Sequence, residues 1–126
     1  MPPPATILVV DDDPVIQKLL AVNFEMEGYH VVTAGDGEAA LACVASKRPD
    51  VVVLDVMMPK IDGIEVVRRM KADPATAPVP VLLLSAKAQA ADVTEGLDAG
   101  ADGYVTKPFD PVDLLERVAS LLGADR

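Results

Sequence analysis

The sequence is poor in cysteine, aromatic residues and positive charge. Its single cysteine, Cys43, excludes an internal disulfide and a zinc site built from several cysteines. Two tyrosines, two phenylalanines and no tryptophan leave few rings on which nucleic-acid bases could stack. Eleven Lys and Arg against 20 Asp and Glu give a formal net charge of −9. This balance argues against direct nucleic-acid binding, because phosphate contacts need clustered cations.

Long apolar runs are also missing from the chain. None approaches the ~20 apolar residues of a membrane-spanning helix, so we expect no membrane contact. Residues 1–6 lack the charged and apolar regions of a secretory signal, which favours the cytoplasm. The 126 residues, 51% of them hydrophobic and 25% charged, fit one domain over residues 1–126, with its folded core at about residues 6–123.

Five short apolar runs recur along the chain, each followed by a stretch with helical spacing. They cover residues 7–10, 31–33, 51–54, 79–84 and 104–105. Three of them are almost continuous Val, Ile and Leu, which is typical of strands buried on both faces of a parallel sheet. The fivefold strand–helix alternation predicts an α/β protein with a doubly wound, five-stranded parallel sheet.

Aspartate, proline and glycine mark the predicted helix ends. The Asp-Pro pairs at residues 13–14 and 110–111 predict an N-cap followed by the first helical residue. We expect the helices that start there to end at Gly28 and Gly123. The three helices between them are predicted at about residues 36–46, from residue 62 onward, and at about residues 87–99.

Polar side chains follow four of the five apolar runs. They are Asp11, Asp12 and Asp13 after the first run, Asp55 after the third, Ser85 after the fourth and Lys107 after the fifth. Because functional groups gather at the carboxyl ends of strands in an open α/β sheet, we expect these side chains to lie together. Clustered carboxylates need a cation between them, and Mg²⁺ or Mn²⁺ suits oxygen ligands. A lysine and a serine facing such a site predict a cradle for a phosphoryl group.

Five motifs occur in a fixed order along the chain. They are Val-Val-Asp-Asp-Asp-Pro at residues 9–14, Leu-Asp-Val-Met-Met-Pro at 54–59, Asp-Gly at 62–63, Leu-Ser-Ala at 84–86 and Gly-Ala-Asp-Gly-Tyr-Val-Thr-Lys-Pro-Phe at 100–109. Together they resemble the receiver domain of two-component response regulators, over about residues 7–122. The resemblance implies a flavodoxin-like (βα)5 fold with strand order 2-1-3-4-5.

The resemblance implies a phosphoacceptor site around Asp55. This residue would accept a phosphoryl group from the phosphohistidine of a sensor histidine kinase or a phosphotransfer protein. Mg²⁺ or Mn²⁺ would be held by Asp55, by Asp12 directly, by Asp11 through water and by the backbone carbonyl of Met57. The domain would catalyse only its own phosphotransfer and dephosphorylation, and would otherwise be a signalling domain rather than an enzyme.

The resemblance also implies a conformational switch. Ser85 would move toward the phosphoryl group, Lys107 would pair with it, and Tyr104 would be the aromatic switch residue. The bond between Lys107 and Pro108 is expected to be cis. The signal would change the face formed by the fourth helix, the fifth strand and the fifth helix.

The output of that face is expected to be a protein contact. It would bind a downstream effector protein, or an effector domain that this chain lacks. Arg117 and Asp102 fit part of the charge set with which the transcription-factor branch of the family dimerises, but the fourth helix has no Arg. We therefore expect a monomer or a weak, phosphorylation-dependent dimer. Met57 and Lys87 would flank the path of attacking water without supplying a general base, which favours a long-lived phosphorylated form.

Two other functions stay open on the residues alone. Residues 11–13 also match the Asp-x-Asp motif of haloacid-dehalogenase-type phosphatases, with Asp11 as the nucleophile, although those enzymes need a further acidic pair after Lys107. A pseudo-receiver that binds a partner without phosphorylation is the second, although such proteins typically lose the phosphoacceptor or the acidic pair. Single residues also have simpler interpretations, with Asp13 as a helix cap and Tyr104 as an ordinary strand residue.

Overall fold

The computed structural model describes residues 4–87 and 89–124 of the chain. Within these residues five strands alternate with five helices. In chain order the elements are β1 Thr6–Val10, α1 Pro14–Met26, β2 His30–Ala34, α2 Gly37–Lys47, β3 Val51–Asp55, α3 Gly63–Ala72, β4 Val81–Ser85, α4 Ala90–Asp98, β5 Gly103–Thr106 and α5 Pro111–Ala124. All neighbouring strands are parallel, in the order β2-β1-β3-β4-β5. The predicted doubly wound α/β fold is confirmed.

The sheet separates two apolar cores. Successive residues of a strand point to opposite faces, so Ile7 and Val9 join the core beneath α1 and α5, whereas Leu8 and Val10 join the core beneath α2 and α3. Every residue of β3 and β4 is buried, which explains why these strands are continuous apolar runs in the sequence. The half-buried Cys43 packs against the core beneath α2 and α3.

Aspartates cap four of the five helices. In each case Oδ1 accepts a hydrogen bond from a backbone N–H of the first turn: Asp13 from Val15 (2.9 Å), Asp36 from Ala39 (2.8 Å), Asp62 from Glu65 (2.9 Å) and Asp110 from Val112 (2.9 Å). Such a cap contributes about 1 kcal/mol by satisfying an amide that has no partner within the helix. The interpretation of Asp13 as a cap is therefore confirmed.

The predicted start of the fourth helix was wrong. The helix was placed at residues 87–99 but begins at Ala90, and residue 88 lies outside the described residues. Gln89 occupies the N-cap without a side-chain hydrogen bond to the helix. The N–H of Lys87 instead donates to Ser85 Oγ at 3.0 Å, which commits this segment to a turn after β4.

The fourth strand and the last helix also differ from their predicted bounds. The strand begins at Val81 rather than at residue 79, because the N–H of Val79 donates to Thr76 in a turn. Gly123 lies inside α5, since a glycine permits a helix end but does not impose one. This helix is 14 residues long, and no helix in the described part of the chain has the length and apolar character needed to cross a bilayer.

Candidate functional site

The carboxyl edge of the sheet gathers the predicted polar residues. Asp11 and Asp12 follow β1, and Asp55 is the last residue of β3. Their side chains each offer an oxygen atom, and these three atoms lie within 4.8 Å of one another. Lys107, which follows β5, places its Nζ 3.1 Å from Asp11 Oδ2 and 3.5 Å from Asp55 Oδ1. The expectation that these groups meet at one edge is therefore correct for Asp11, Asp12, Asp55 and Lys107, whereas the Asp13 carboxylate caps α1.

Asp11 is the most constrained carboxylate of the cluster. The residue is only 1% exposed, and its Oδ2 accepts a hydrogen bond from Lys107. Its Oδ1 accepts the backbone N–H of Asp13 at 2.9 Å. Both oxygens therefore already have a partner within the protein. Asp12 is exposed and is the freer of the two acids.

Asp55 is 5% exposed. Burial raises the pKa of its carboxyl above the ordinary value of 3.8. The Lys107 ammonium lowers this pKa, the negative charge of Asp11 raises it, and a hydrogen bond from the Met57 N–H, at 3.2 Å, lowers it. Together these effects raise the pKa of Asp55, so the folded protein disfavours the ionised carboxylate. A cation bound among these oxygens would stabilise the ionised form.

The chemistry of the donor set suits a hard divalent cation. The three clustered side chains supply only oxygen atoms, and two of them are buried. Oxygen ligands from one or two carboxylates, completed by water, are the usual environment of Mg²⁺. The residues present therefore fit the ion that the sequence predicts.

The loop between β3 and α3 is fixed by a close helix–strand contact at Gly63. A Cβ at this position would overlap the carbonyl oxygen of Asp55 and lie 2.8 Å from Val56 Cα. The Gly63 N–H donates to the Val56 carbonyl at 2.9 Å. The sequence indicated Gly63 as part of a motif and of a helix start, but not this close contact. An Asp-Gly pair directly after the loop of a buried strand was the available signal.

Ser85 and Tyr104 are connected through the backbone of Lys87. Ser85 is fully buried at the end of β4, and its Oγ accepts the Lys87 N–H. The Tyr104 hydroxyl donates to the Lys87 carbonyl at 2.9 Å. The Tyr104 ring packs closely on Gly96 of α4, where a Cβ would approach Tyr104 Cδ2 to 3.0 Å. A short path thus leads from the acidic edge to the face that carries α4 and β5.

One expectation that follows from the resemblance concerns the bond after Lys107, and it is confirmed. The Lys107–Pro108 peptide bond is cis. The Met57 side chain is 52% exposed beside Asp55. His30, at the start of β2, is exposed and lies at the strand end remote from the acidic edge.

Comparisons with known proteins agree with this geometry. The model of the response regulator receiver domain family matches residues 7–119. The DNA-binding dual master transcriptional regulator RpaA of Synechocystis is 47% identical over 116 residues, which are 92% of this chain and 48% of that protein. The transcriptional regulatory protein PhoP of Bacillus subtilis shows the same identity, over 92% of this chain and 48% of its own length. The chain thus spans about half the length of these relatives.

Solved structures of receiver domains show the same fold. The receiver domain of the Francisella response regulator 1452 superposes with a TM-score of 0.91 at 35% identity, covering 97% of this chain and 99% of that one. The chemotaxis response regulator CheY4 of Vibrio cholerae gives 0.88 at 34% identity, over 94% of this chain and 98% of its own. These likenesses support phosphoacceptor signalling, and neither a haloacid-dehalogenase-type phosphatase nor a pseudo-receiver. The chain belongs to the response regulator receiver domain family of two-component signalling.

Proposed function

We propose that the chain is a single receiver domain with its core at about residues 6–123 and that it is located in the cytoplasm. Asp55 is its phosphoacceptor. The observation that supports it is the position of this carboxylate, which is buried, within 4.8 Å of the acidic pair and 3.5 Å from Lys107 Nζ. One Asp55 oxygen attacks phosphorus in line with the departing group. A P–O bond forms as the P–N bond to the donor imidazole breaks, and the imidazole leaves.

Mg²⁺ or Mn²⁺ is the proposed cofactor. Asp12 and Asp55 would bind it directly, Asp11 through water, and the backbone carbonyl of Met57 would complete the protein ligands. When bound, the ion neutralises charge on the transferring phosphoryl oxygens. The partnered state of both Asp11 oxygens supports the indirect role of this residue.

Lys107 and Ser85 are the proposed phosphoryl-binding residues. The Lys107 ammonium already spans Asp11 and Asp55, so it lies where charge on a new phosphoryl oxygen would develop. Ser85 Oγ accepts the Lys87 N–H, which leaves its own O–H free to donate to that oxygen. A shift of Ser85 would disturb the Lys87 backbone and, through it, the hydrogen bond of Tyr104. Ser85 and Tyr104 therefore form the proposed switch.

The phosphoacceptor assignment is tested by phosphorylation with a small acyl phosphate and Mg²⁺. The intact mass of the wild type should increase by one phosphoryl group, and Asp55→Asn should show no increase. Asp36→Asn is the matched control, because it makes the same change at a helix cap away from the cluster. Phosphorylation that persists in Asp55→Asn would contradict the assignment.

We also propose a docking surface for the phosphodonor on α1. Four apolar residues of this helix form one exposed stripe: Val15, Leu19, Val22 and Met26, exposed by 72%, 47%, 43% and 80%. Beside it, a groove lined by Leu19, Pro108 and Phe109 is also lined by Lys107 of the site. This continuity suits an amphipathic helix that carries the phosphohistidine of the donor.

The docking surface predicts a difference between protein and small-molecule donors. Val22→Glu should slow transfer from a phosphorylated kinase or phosphotransfer protein and leave phosphorylation by an acyl phosphate unaffected. Leu97→Glu, an equally exposed apolar position on α4, is the matched control and should not slow either reaction. Equal transfer from the protein donor to both variants would contradict the docking surface.

The output surface is proposed to be the face formed by α4, β5 and α5. Arg117 is paired with Asp113 of its own helix at 3.1 Å, and Asp102 accepts the Val81 N–H at 2.8 Å. Because both side chains already have partners within the chain, we propose a monomer or a weak, phosphorylation-dependent dimer. The face would contact an effector protein, or an effector domain where the chain is part of a longer regulator. Contact with DNA would then belong to that effector.

The switch is tested by hydrogen exchange with and without a phosphoryl mimic. Protection should change at residues 85–87 and 89–106, which include Ser85 and Tyr104. A response that leaves this segment unchanged while other segments respond would contradict the proposed switch.

A further inference from the structure

Gln17 joins the ends of two strands beneath the acidic pair. Its side-chain Nε2 donates to the carbonyl oxygen of Asp11 at 3.2 Å and to that of Ala34 at 2.9 Å. Asp11 follows β1, Ala34 ends β2, and Gln17 lies in the first half of α1. An amide nitrogen carries two hydrogens, and here each has an acceptor. The side chain therefore ties α1 to both neighbouring strand ends.

This contact fixes the peptide group between the two acids. The Asp11 carbonyl belongs to the peptide plane that continues into Asp12, so holding its oxygen sets the direction in which the next residue leaves the sheet. The Asp11 N–H also donates to the Ala34 carbonyl, at 3.3 Å. The backbone of Asp11 is thus held on both sides, through its own N–H and through Gln17.

Gln17 does not belong to the apolar core. Gln17 is half-buried, whereas Leu20 and Phe24 of the same helix supply its buried apolar face. Two strand-end carbonyl oxygens converge on its amide nitrogen. An apolar side chain of the same length would leave both oxygens without this partner.

We propose that Gln17 is a positioning residue for the acidic pair, acting through the Asp11 backbone on the carboxylates of Asp11 and Asp12. The inference rests on the proposed metal site and adds to it a residue that touches neither the ion nor the phosphoryl group. Groups that orient metal ligands typically change metal affinity by 10–100-fold when removed. Because Gln17 acts through the backbone of one ligand, we expect a change at the lower end of this range.

The test compares Gln17→Met with two control variants. Gln17→Met keeps the length of the side chain and removes both donors. Asn23→Met makes the same kind of change on the same helix, where Asn23 Nδ2 donates to the Leu19 carbonyl at 2.8 Å. Lys71→Met removes two hydrogen bonds from a side chain to backbone carbonyls, those of Ala77 and Val79. These carbonyls precede β4, at the amino-terminal ends of the strands, away from the acidic pair.

Two measurements are made below the unfolding temperature of every variant. The first is the Mg²⁺ dissociation constant, obtained by calorimetric titration. We expect the dissociation constant to increase about tenfold in Gln17→Met and to stay within about twofold of the wild-type value in both controls. The second is amide hydrogen exchange in chelator, without metal. Exchange at Asp11 and Asp13 should accelerate in Gln17→Met alone.

The two measurements separate this inference from the proposed metal site. A wild type that binds no Mg²⁺ contradicts the metal site, and the exchange rates then still decide the role of Gln17. Unchanged exchange at Asp11 and Asp13 in Gln17→Met overturns the positioning role whether or not metal binds. An equal loss of affinity in Gln17→Met and the controls also overturns it, because the cause would then be general destabilisation.

Discussion

Replacing Asp55 by Asn should make the metal-free domain more stable. In the absence of a cation, the Asp55 carboxylate is buried at 5% exposure beside two other acids. Burial raises the pKa of this carboxyl, which means that the folded state holds its charge unfavourably. Asparagine has almost the same shape and can still accept the Met57 N–H, so the substitution removes the charge and leaves the packing in place.

The magnitude follows from the charges around Asp55. At an effective dielectric constant of ~20, an Asp11 oxygen at the 4.8 Å limit of the cluster repels the Asp55 carboxylate by about 3.5 kcal/mol, and Lys107 Nζ at 3.5 Å attracts it by about 5 kcal/mol. The exposed Asp12 adds only about 1 kcal/mol of repulsion, because water screens it. These contributions nearly cancel, so the burial penalty remains, and we expect a gain of about 1–3 kcal/mol on its removal.

The assay is thermal unfolding in chelator at several pH values. For 126 residues, 1 kcal/mol corresponds to roughly 4 °C, so the Tm of Asp55→Asn should exceed that of the wild type by roughly 4–12 °C at a pH where Asp55 is ionised. Because the raised pKa of Asp55 lies above 3.8, the wild type loses stability as the pH rises through that pKa. The difference should therefore be small near pH 3.8 and grow as the pH rises through the raised pKa of Asp55. An Asp55→Asn variant less stable than the wild type at pH 7 would refute this account of the charges.

Three further predictions concern the metal, the β3–α3 loop and the lifetime of the phosphorylated form. Asp12→Ala should weaken Mg²⁺ binding by about tenfold or more, whereas Asp13→Asn should bind normally in the same titration, because Asp13 caps α1. Gly63→Ala should cost about 1–3 kcal/mol in urea unfolding by pressing on the Asp55 backbone, whereas Gly35→Ala should cost less, since a Cβ there meets nothing within 4 Å. Met57→Asn should lose its phosphoryl group several-fold faster than the wild type, because a polar side chain can orient the attacking water; equal rates would show that Met57 does not limit that water.

The sequence predicted those parts of the fold that depend on local chemistry. Continuous runs of Val and Leu identified β3 and β4, because strands covered on both faces need apolar side chains throughout. Aspartates before helices were recognised because a short carboxylate there satisfies a free amide. The start of α4 was not predictable in this way, since it depends on the bond that Ser85 makes with the Lys87 backbone.

The sequence predicted which residues come together at the site but not the hydrogen bonds that connect them to the backbone. Parallel strands bring their carboxyl ends to one edge, so Asp11, Asp55 and Lys107 could be placed together from their positions alone. Contacts that depend on side-chain direction were not visible in the sequence. The two bonds of Gln17 and the bond from the Tyr104 hydroxyl to a backbone carbonyl belong to this class, because no residue pattern specifies a backbone acceptor.

The central claim, that Asp55 carries the phosphoryl group, is tested most directly by chemical trapping. The domain is phosphorylated with an acyl phosphate and Mg²⁺ and then treated with borohydride, which reduces an aspartyl phosphate to homoserine. Peptide mass mapping then locates the converted residue. We expect homoserine at position 55 and at no other position. Conversion at Asp11 or Asp12, or a phosphorylated protein with no converted aspartate, would contradict it.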